Sequence, residues 1–105
     1  MKPDLELIYD KDFDVRYQVA KRIDPKYLPK MMKDEDYGVR YEVARRIVVK
    51  HLPKMMNDKN HWVRYEVAKR IDPKFLGEMF GFDFDPEYQK GLIKVLAERE
   101  DLRRV

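Results

Sequence analysis

The sequence predicts an all-α fold, a right-handed α-solenoid of 24-residue helical repeats closed by a C-terminal capping helix. Three observations carry that expectation. A nine-residue block recurs three times without insertion: Val-Arg-Tyr-Gln-Val-Ala-Lys-Arg-Ile at 15–23, Val-Arg-Tyr-Glu-Val-Ala-Arg-Arg-Ile at 39–47 and Val-Arg-Tyr-Glu-Val-Ala-Lys-Arg-Ile at 63–71, with Arg16, Arg40 and Arg64 marking the 24-residue spacing. The joining segments repeat too. Asp24-Pro25-Lys26-Tyr27-Leu28 returns as Asp72-Pro73-Lys74-Phe75-Leu76, and Leu28-Pro29-Lys30-Met31-Met32 returns as Leu52-Pro53-Lys54-Met55-Met56. Within each block the apolar residues share one helical face. Internal similarity at a fixed period is the signature of stacked repeats, in which no unit buries its apolar face alone.

Leu5, Leu7 and Ile8 occupy the equivalent places of a first, degenerate unit. The first full block reads as a helix. At about 100° per residue, Val15, Val19, Ile23 and Ala20 fall within about 140° of one another, whereas Gln18 and Lys21 point to the opposite, wet side. Asp12 and Asp14 stand where carboxylates suit a helix N-terminus, and Asp24-Pro25 stops the helix because the residue before proline avoids helical angles. Residues 25–33 have room for one or two turns, and the spacing of Leu28, Met31 and Met32 predicts a short helix or 3₁₀ turn with one buried face. Residues 80–85, Phe-Gly-Phe-Asp-Phe-Asp before Pro86, read as an irregular connector. Phe80, Phe82 and Phe84 are expected to form the apolar lid of the last unit, with an exposed self-association patch as the alternative. Residues 86–103 leave the repeat, and Tyr88, Leu92, Val95, Leu96 and Leu102 fit one helix that seals the stack. The chain thus reads as a single domain over 1–105, with about three repeats over 4–80 and the capping helix over 86–103.

Composition supports a folded domain. The 105 residues are 44% hydrophobic and 41% charged, but 23 basic and 20 acidic side chains nearly cancel, so the high net charge of a disordered chain is missing. The absence of cysteine excludes disulfides, thiol catalysis and all-cysteine metal sites on this chain. No apolar run approaches the roughly 18 residues of a membrane span. The opening Met1-Lys2-Pro3-Asp4 lacks the apolar stretch of a signal peptide, which leads to the expectation of a cytoplasmic protein.

The repeated Asp-x-x-x-x-Val-Arg-x-x-Val-Ala pattern with its Asp-Pro resembles the leucine-rich repeat variant family, a short relative of the HEAT repeat. The resemblance implies alternating α and 3₁₀ helices in a right-handed superhelix. Founding members of that family also carry a cysteine-ligated iron–sulfur cluster outside the repeats, which a chain without cysteine does not inherit. The resemblance further implies an Asp–Arg ladder between adjacent units, built from Asp10 and Arg16, Asp34 and Arg40, and Asp58 and Arg64. The wheel agrees, since it turns Arg16 inward, where a guanidinium must find acceptors.

The remaining constellations were weighed for chemistry. Asp10-Lys11-Asp12-Phe13-Asp14 starts like a calcium loop, but the sixth position is Val15 and the twelfth is Lys21 where Gly and Glu are needed. Asp34-Glu35-Asp36 fails in the same way, so no metal is expected. His51 and His61 are ten residues apart with no second ligand at helical spacing. No nucleophile–base pair and no glycine-rich phosphate loop are present, so neither enzymatic activity nor a cofactor is expected. The Met31-Met32, Met55-Met56 and Met79-Phe80 row is expected to place one residue of each pair in the core.

A binding surface is what remains. Tyr17, Tyr41 and Tyr65 with Lys21, Arg45 and Lys69 would present repeating contacts, and Gln18, Glu42 and Glu66 would give the same surface mixed charge. That pattern suits a protein partner and a scaffolding role. The dyads Lys21-Arg22, Arg45-Arg46 and Lys69-Arg70, followed by Lys26, Lys50 and Lys74, make nucleic-acid binding the alternative. Self-association is a third reading. Trp62, which breaks the repeat at the position of Asp14 and Gly38, is the single strongest candidate for a partner contact.

Overall fold

A computed structural model describes residues 2–103. All regular elements among them are helical: α1 (Asp4–Leu7), α2 (Phe13–Arg22), α3 (Tyr37–Arg46), α4 (His61–Ala68), α5 (Leu76–Phe82) and α6 (Pro86–Ala97), with 3₁₀ segments at Pro25–Met31, Val49–Met55, Pro73–Phe75 and Glu100–Leu102. The three central helices begin at Phe13, Tyr37 and His61 and stack side by side, α2 on α3 on α4, with α1 at one end and α6 at the other. The molecule measures 50 × 27 × 18 Å. It is an α-solenoid.

Local sequence sets each boundary. Asp12 caps α2 through the Asp14 N–H, Asp36 caps α3 through Val39, and Asn60 caps α4 through Trp62 and Val63. Ile23 and Ile47 leave the helix in extended conformation, with ψ at 150°. Pro29 and Pro53 lie inside their 3₁₀ segments, where the missing N–H forbids a longer α-helix. The three-residue turn puts Leu28 over Met31 and Leu52 over Met55, and all four are buried. They close the core from the 3₁₀ side, while Val19, Ala20, Val43, Ala44, Val67 and Ala68 close it from the α-helical side. Met31, Met55 and Met79 are each the buried member of the methionine row, as the sequence suggests, and Met56 is buried as well.

Three expectations are corrected. Residues 80–82 belong to α5, which replaces the Pro-containing 3₁₀ segment of the earlier units because Gly-Glu-Met-Phe carries no proline to break the helix. Of the phenylalanines there, only Phe80 packs on the core; Phe84 is 80% exposed and Phe82 is 46% exposed. The helix starting at Pro86 stops at Ala97, short of residue 103, and continues as a separate 3₁₀ turn. Among the described residues no helix is long and apolar enough to cross a membrane.

Candidate functional site: an aromatic groove on a stapled stack

Arginine–aspartate rungs hold the stack rigid. Arg16 donates from Nε and Nη2 to the two carboxylate oxygens of Asp34, at 2.8 and 3.2 Å, and from Nη1 to the Asp10 carbonyl at 2.7 Å. Arg40 does the same to Asp58, at 2.8 and 3.1 Å, and to the Asp34 carbonyl at 2.7 Å. Residues six apart therefore meet through a backbone oxygen, and each carboxylate goes to the arginine of the unit before. The paired Asp34 carboxylate raises the affinity of Arg16 for its proton above the ordinary arginine range. Arg64 reaches the Asp58 carbonyl and, through Nη2 alone, Asp83 at 3.0 Å. The Asp10 carboxylate accepts the Asp12 N–H.

A second arginine row went unrecognised in the sequence. Arg46 donates to the carbonyls of Ala20 and Ile23, both at 2.6 Å, and Arg70 donates to those of Ala44 and Ile47, at 2.8 and 2.7 Å. Each guanidinium satisfies C-terminal carbonyls of the helix one unit back, groups a helix cannot pair within itself. Arg99, after α6, does this for Ala68 and Ile71. Arg22 has only the short α1 before it and pairs with Asp4, whose acidity rises as a result. The signal was available: the second residue of every dyad is arginine, while the first alternates between lysine and arginine. Arg46 spans its two carbonyls with both terminal nitrogens of the guanidinium fork, whereas Arg70 and Arg99 reach theirs from one nitrogen each.

Placing Glu42 and Glu66 beside Gln18 on a wet face is corrected by the structure. Both glutamates are buried, whereas Gln18 is exposed. Glu42 accepts the Tyr17 hydroxyl at 3.3 Å and Arg45 Nε at 2.9 Å. Glu66 holds Lys69 at 2.5 Å, and its charge acts on Tyr41, which lies one unit back. A wheel drawn for an isolated helix treats its flanks as solvent, but in a stack the previous helix covers one flank. Gln18 escapes because the previous helix is the four-residue α1. Burial raises the pKa of Tyr17 and Tyr41, and the adjacent Glu42 and Glu66 add to the effect. Tyr65 is raised by burial and by Tyr88, on which it stacks at 5.6 Å.

The tyrosine row is thus half-buried between units, and the outer surfaces of Tyr17 and Tyr41 are part of a groove. Tyr17, Tyr37, Gly38, Tyr41 and Trp62 line an open space of about 350 Å³. Tyr37 is 51% exposed and Trp62 53% exposed. Tyr37 and Gly38 were missed as site residues. Every central helix opens with an i, i+4 ring pair on one face: Phe13 with Tyr17, Tyr37 with Tyr41, His61 with Tyr65. Trp62 is held by His61 at 4.8 Å and by Tyr65 edge-on at 5.8 Å. Gly38 leaves the floor open; a Cβ there would stand 2.9 Å from Asp36 Oδ2, the atom that caps α3.

Among solved structures, the chain is similar to one described as a leucine-rich repeat variant with a novel repetitive structural motif, at 36% identity over 87% of this chain and a TM-score of 0.75. This chain carries leucine-rich repeat variant units. It spans 40% of the length of that structure. No protein-family model and no curated protein matches the sequence.

In these leucine-rich repeat variant units the cations of the candidate surface are largely engaged. Lys21 lies over the Tyr17 ring at 5.3 Å, and Arg45 and Lys69 are paired with Glu42 and Glu66. The Glu66 bond raises the Lys69 pKa. Among the described residues no group of three or more metal-ligating side chains comes together. A cavity of about 620 Å³ lies between α4 and the C-terminal segment, lined by Lys69, Arg70 and Arg99 with Glu98, Glu100 and Asp101. Its charges pair locally, Arg99 with Asp101 at 2.6 Å and Lys69 with the buried Glu66 at 2.5 Å.

Proposed function

We propose that the chain is a non-catalytic protein-interaction module that binds its partner along the aromatic face of α2, α3 and α4. The observation that carries this reading is the groove of Tyr17, Tyr37, Gly38, Tyr41 and Trp62, which leaves large rings half-exposed on a stack that two arginine rows make stiff. Exposed aromatic anchors on a rigid frame are the typical centres of protein interfaces, because they bury area at little entropic cost. The nucleic-acid alternative loses support, since Arg46 and Arg70 bind backbone carbonyls and Arg45 and Lys69 are paired with buried glutamates.

Site-specific photo-cross-linking tests the reading. A photoreactive phenylalanine analogue replaces Tyr37 in one variant and Lys54, on a 3₁₀ segment, in another. A cross-linked protein is expected from position 37 and not from position 54, and Trp62→Ala is expected to abolish it. Cross-links to nucleic acid, or to protein at position 54 alone, overturn the proposal.

A further inference from the structure

We propose that the groove takes an extended, proline-rich peptide in the polyproline II conformation, with a lysine or arginine of that peptide at the Asp14 end. This rests on the protein-interaction reading above and gives it a ligand chemistry.

The first argument is period. The aromatic stations recur once per helix layer, Phe13 to Tyr37 and Tyr17 to Tyr41. Packed helices lie about 8–10 Å apart. The 50 Å length of the molecule accommodates its five layers at that spacing. A polyproline II chain turns once every three residues and rises about 9.3 Å per turn. Its residues i and i+3 therefore meet equivalent stations in consecutive layers. A strand repeats about every 6.7 Å, and an α-helix about every 5.4 Å, or about 10.8 Å over two turns, so the polyproline II rise is the one that falls inside the roughly 8–10 Å spacing.

The second argument is the chemistry at one repeat position, which reads Asp14, Gly38 and Trp62 across three layers. Asp14 is exposed and makes no ion pair among the described residues. Gly38 opens the floor and Trp62 forms the wall. By repeat register the Asp14 end therefore offers a carboxylate to a cation, beside Lys21 over the Tyr17 ring, and the other end packs flat apolar rings. The exposed capping carboxylate of Asp12 strengthens the acidic end. Trp62 is 53% exposed, so its indole can donate its N–H to a carbonyl of a chain whose own carbonyls are unpaired. Proline-rich chains are also pre-ordered, so binding them along a shallow groove loses little entropy.

Trp62 is the chain's one tryptophan and reports on the groove directly. Its fluorescence is titrated with an Arg-Pro-Pro-Ala-Pro-Pro peptide, with the same peptide carrying Glu for Arg, and with an alanine-based helical peptide of equal charge. Saturable change is expected with the first. Calorimetry is expected to show binding at least about tenfold weaker for Trp62→Ala, the loss of a central aromatic anchor. Asp14→Lys, at an exposed site, is expected to weaken binding several-fold, with the difference shrinking toward 1 M salt, where screening falls to about 3 Å. If the helical peptide moves Trp62 and the proline peptide does not, the polyproline assignment fails while the protein-binding reading survives. If no peptide moves Trp62, the assignment fails, and cross-linking at position 37 then decides the broader reading independently.

Discussion

The rungs inside the array and the rung at its end use the same arginine and reach different results. Arg16 and Arg40 each meet an aspartate eighteen residues on and grip it with two nitrogens. Arg64 meets Asp83, nineteen residues on, with one nitrogen, and its Nε is buried with no partner. The inner carboxylates are 7% and 8% exposed, whereas Asp83 is 35% exposed. A single extra residue in the connection therefore converts a closed fork into a partial one. The guanidinium of Arg64 is instead covered by rings, 4.4 Å from Tyr88 and 5.2 Å from Phe82. Two-point recognition of a carboxylate depends on repeat register, while packing against a ring tolerates the slip.

The largest effect is expected from breaking an inner rung. Arg40→Ala leaves the buried carboxylate of Asp58 without its fork and should destabilise by about 3–5 kcal/mol, the usual cost of orphaning one member of a buried pair. Arg64→Ala leaves Asp83 able to find water and should cost about 1–3 kcal/mol, mostly in lost ring packing and hydrogen bonds. Urea denaturation of both variants checks the order. Equal losses would show that the register slip has no energetic meaning.

A smaller effect sharpens the contrast at the same end. Gly91 of α6 faces Tyr65, and a Cβ built there would lie 2.2 Å from the Tyr65 hydroxyl and 2.6 Å from its ring carbon. Tyr65 cannot swing away freely, because it stacks on Tyr88 and donates to the Tyr88 carbonyl at 3.4 Å. Gly91→Ala should therefore cost about 1–3 kcal/mol by overpacking, despite the better helix propensity of alanine. Tyr65→Phe removes the hydroxyl that makes the closest contact and is expected to recover part of the loss. A neutral or stabilising Gly91→Ala would mean that α6 is not seated on α4 in this way.

The repeat, its helical blocks and the buried methionine row were legible because each depends on local pattern: period, apolar face and proline position. The inward turn of Arg16 was legible for the same reason. What escaped were contacts made between units. Glu42 and Glu66 are buried by the helix one unit back, a neighbour no wheel contains. Arg46 and Arg70 looked like free cations because their acceptors are backbone carbonyls, which have no letter in a sequence. Tyr37 escaped because it lies outside the nine-residue block, which begins two residues later at Val39. The i, i+4 ring pairing with Tyr41 was the signal that could have found it.

The smallest effect lies at alkaline pH and is shared by the two regions. Tyr17, Tyr41, Tyr65 and Tyr88 all have their pKa raised from 10.0, with burial the largest cause in each. A raised pKa means that the folded state holds the phenolic proton more tightly than the unfolded chain does. Their contribution is therefore complete below the unfolded value, near pH 10, and is lost as pH rises toward the higher folded values. Lys69, raised by Glu66, acts in the same direction. Stability should hold level through neutral pH and fall from about pH 10 upward. Tyr41→Phe and Tyr65→Phe should each flatten that fall, since a phenylalanine has no proton to lose. Beyond burial, Tyr41 is raised by Glu66 and lowered by Lys69 and Arg45, whereas Tyr65 is raised by Tyr88, Asp85 and Asp83 and lowered by Arg64. Thermal midpoints followed across that range read the flattening in each variant. An alkaline fall unchanged by both substitutions would place the titration elsewhere and leave the tyrosine row as packing alone.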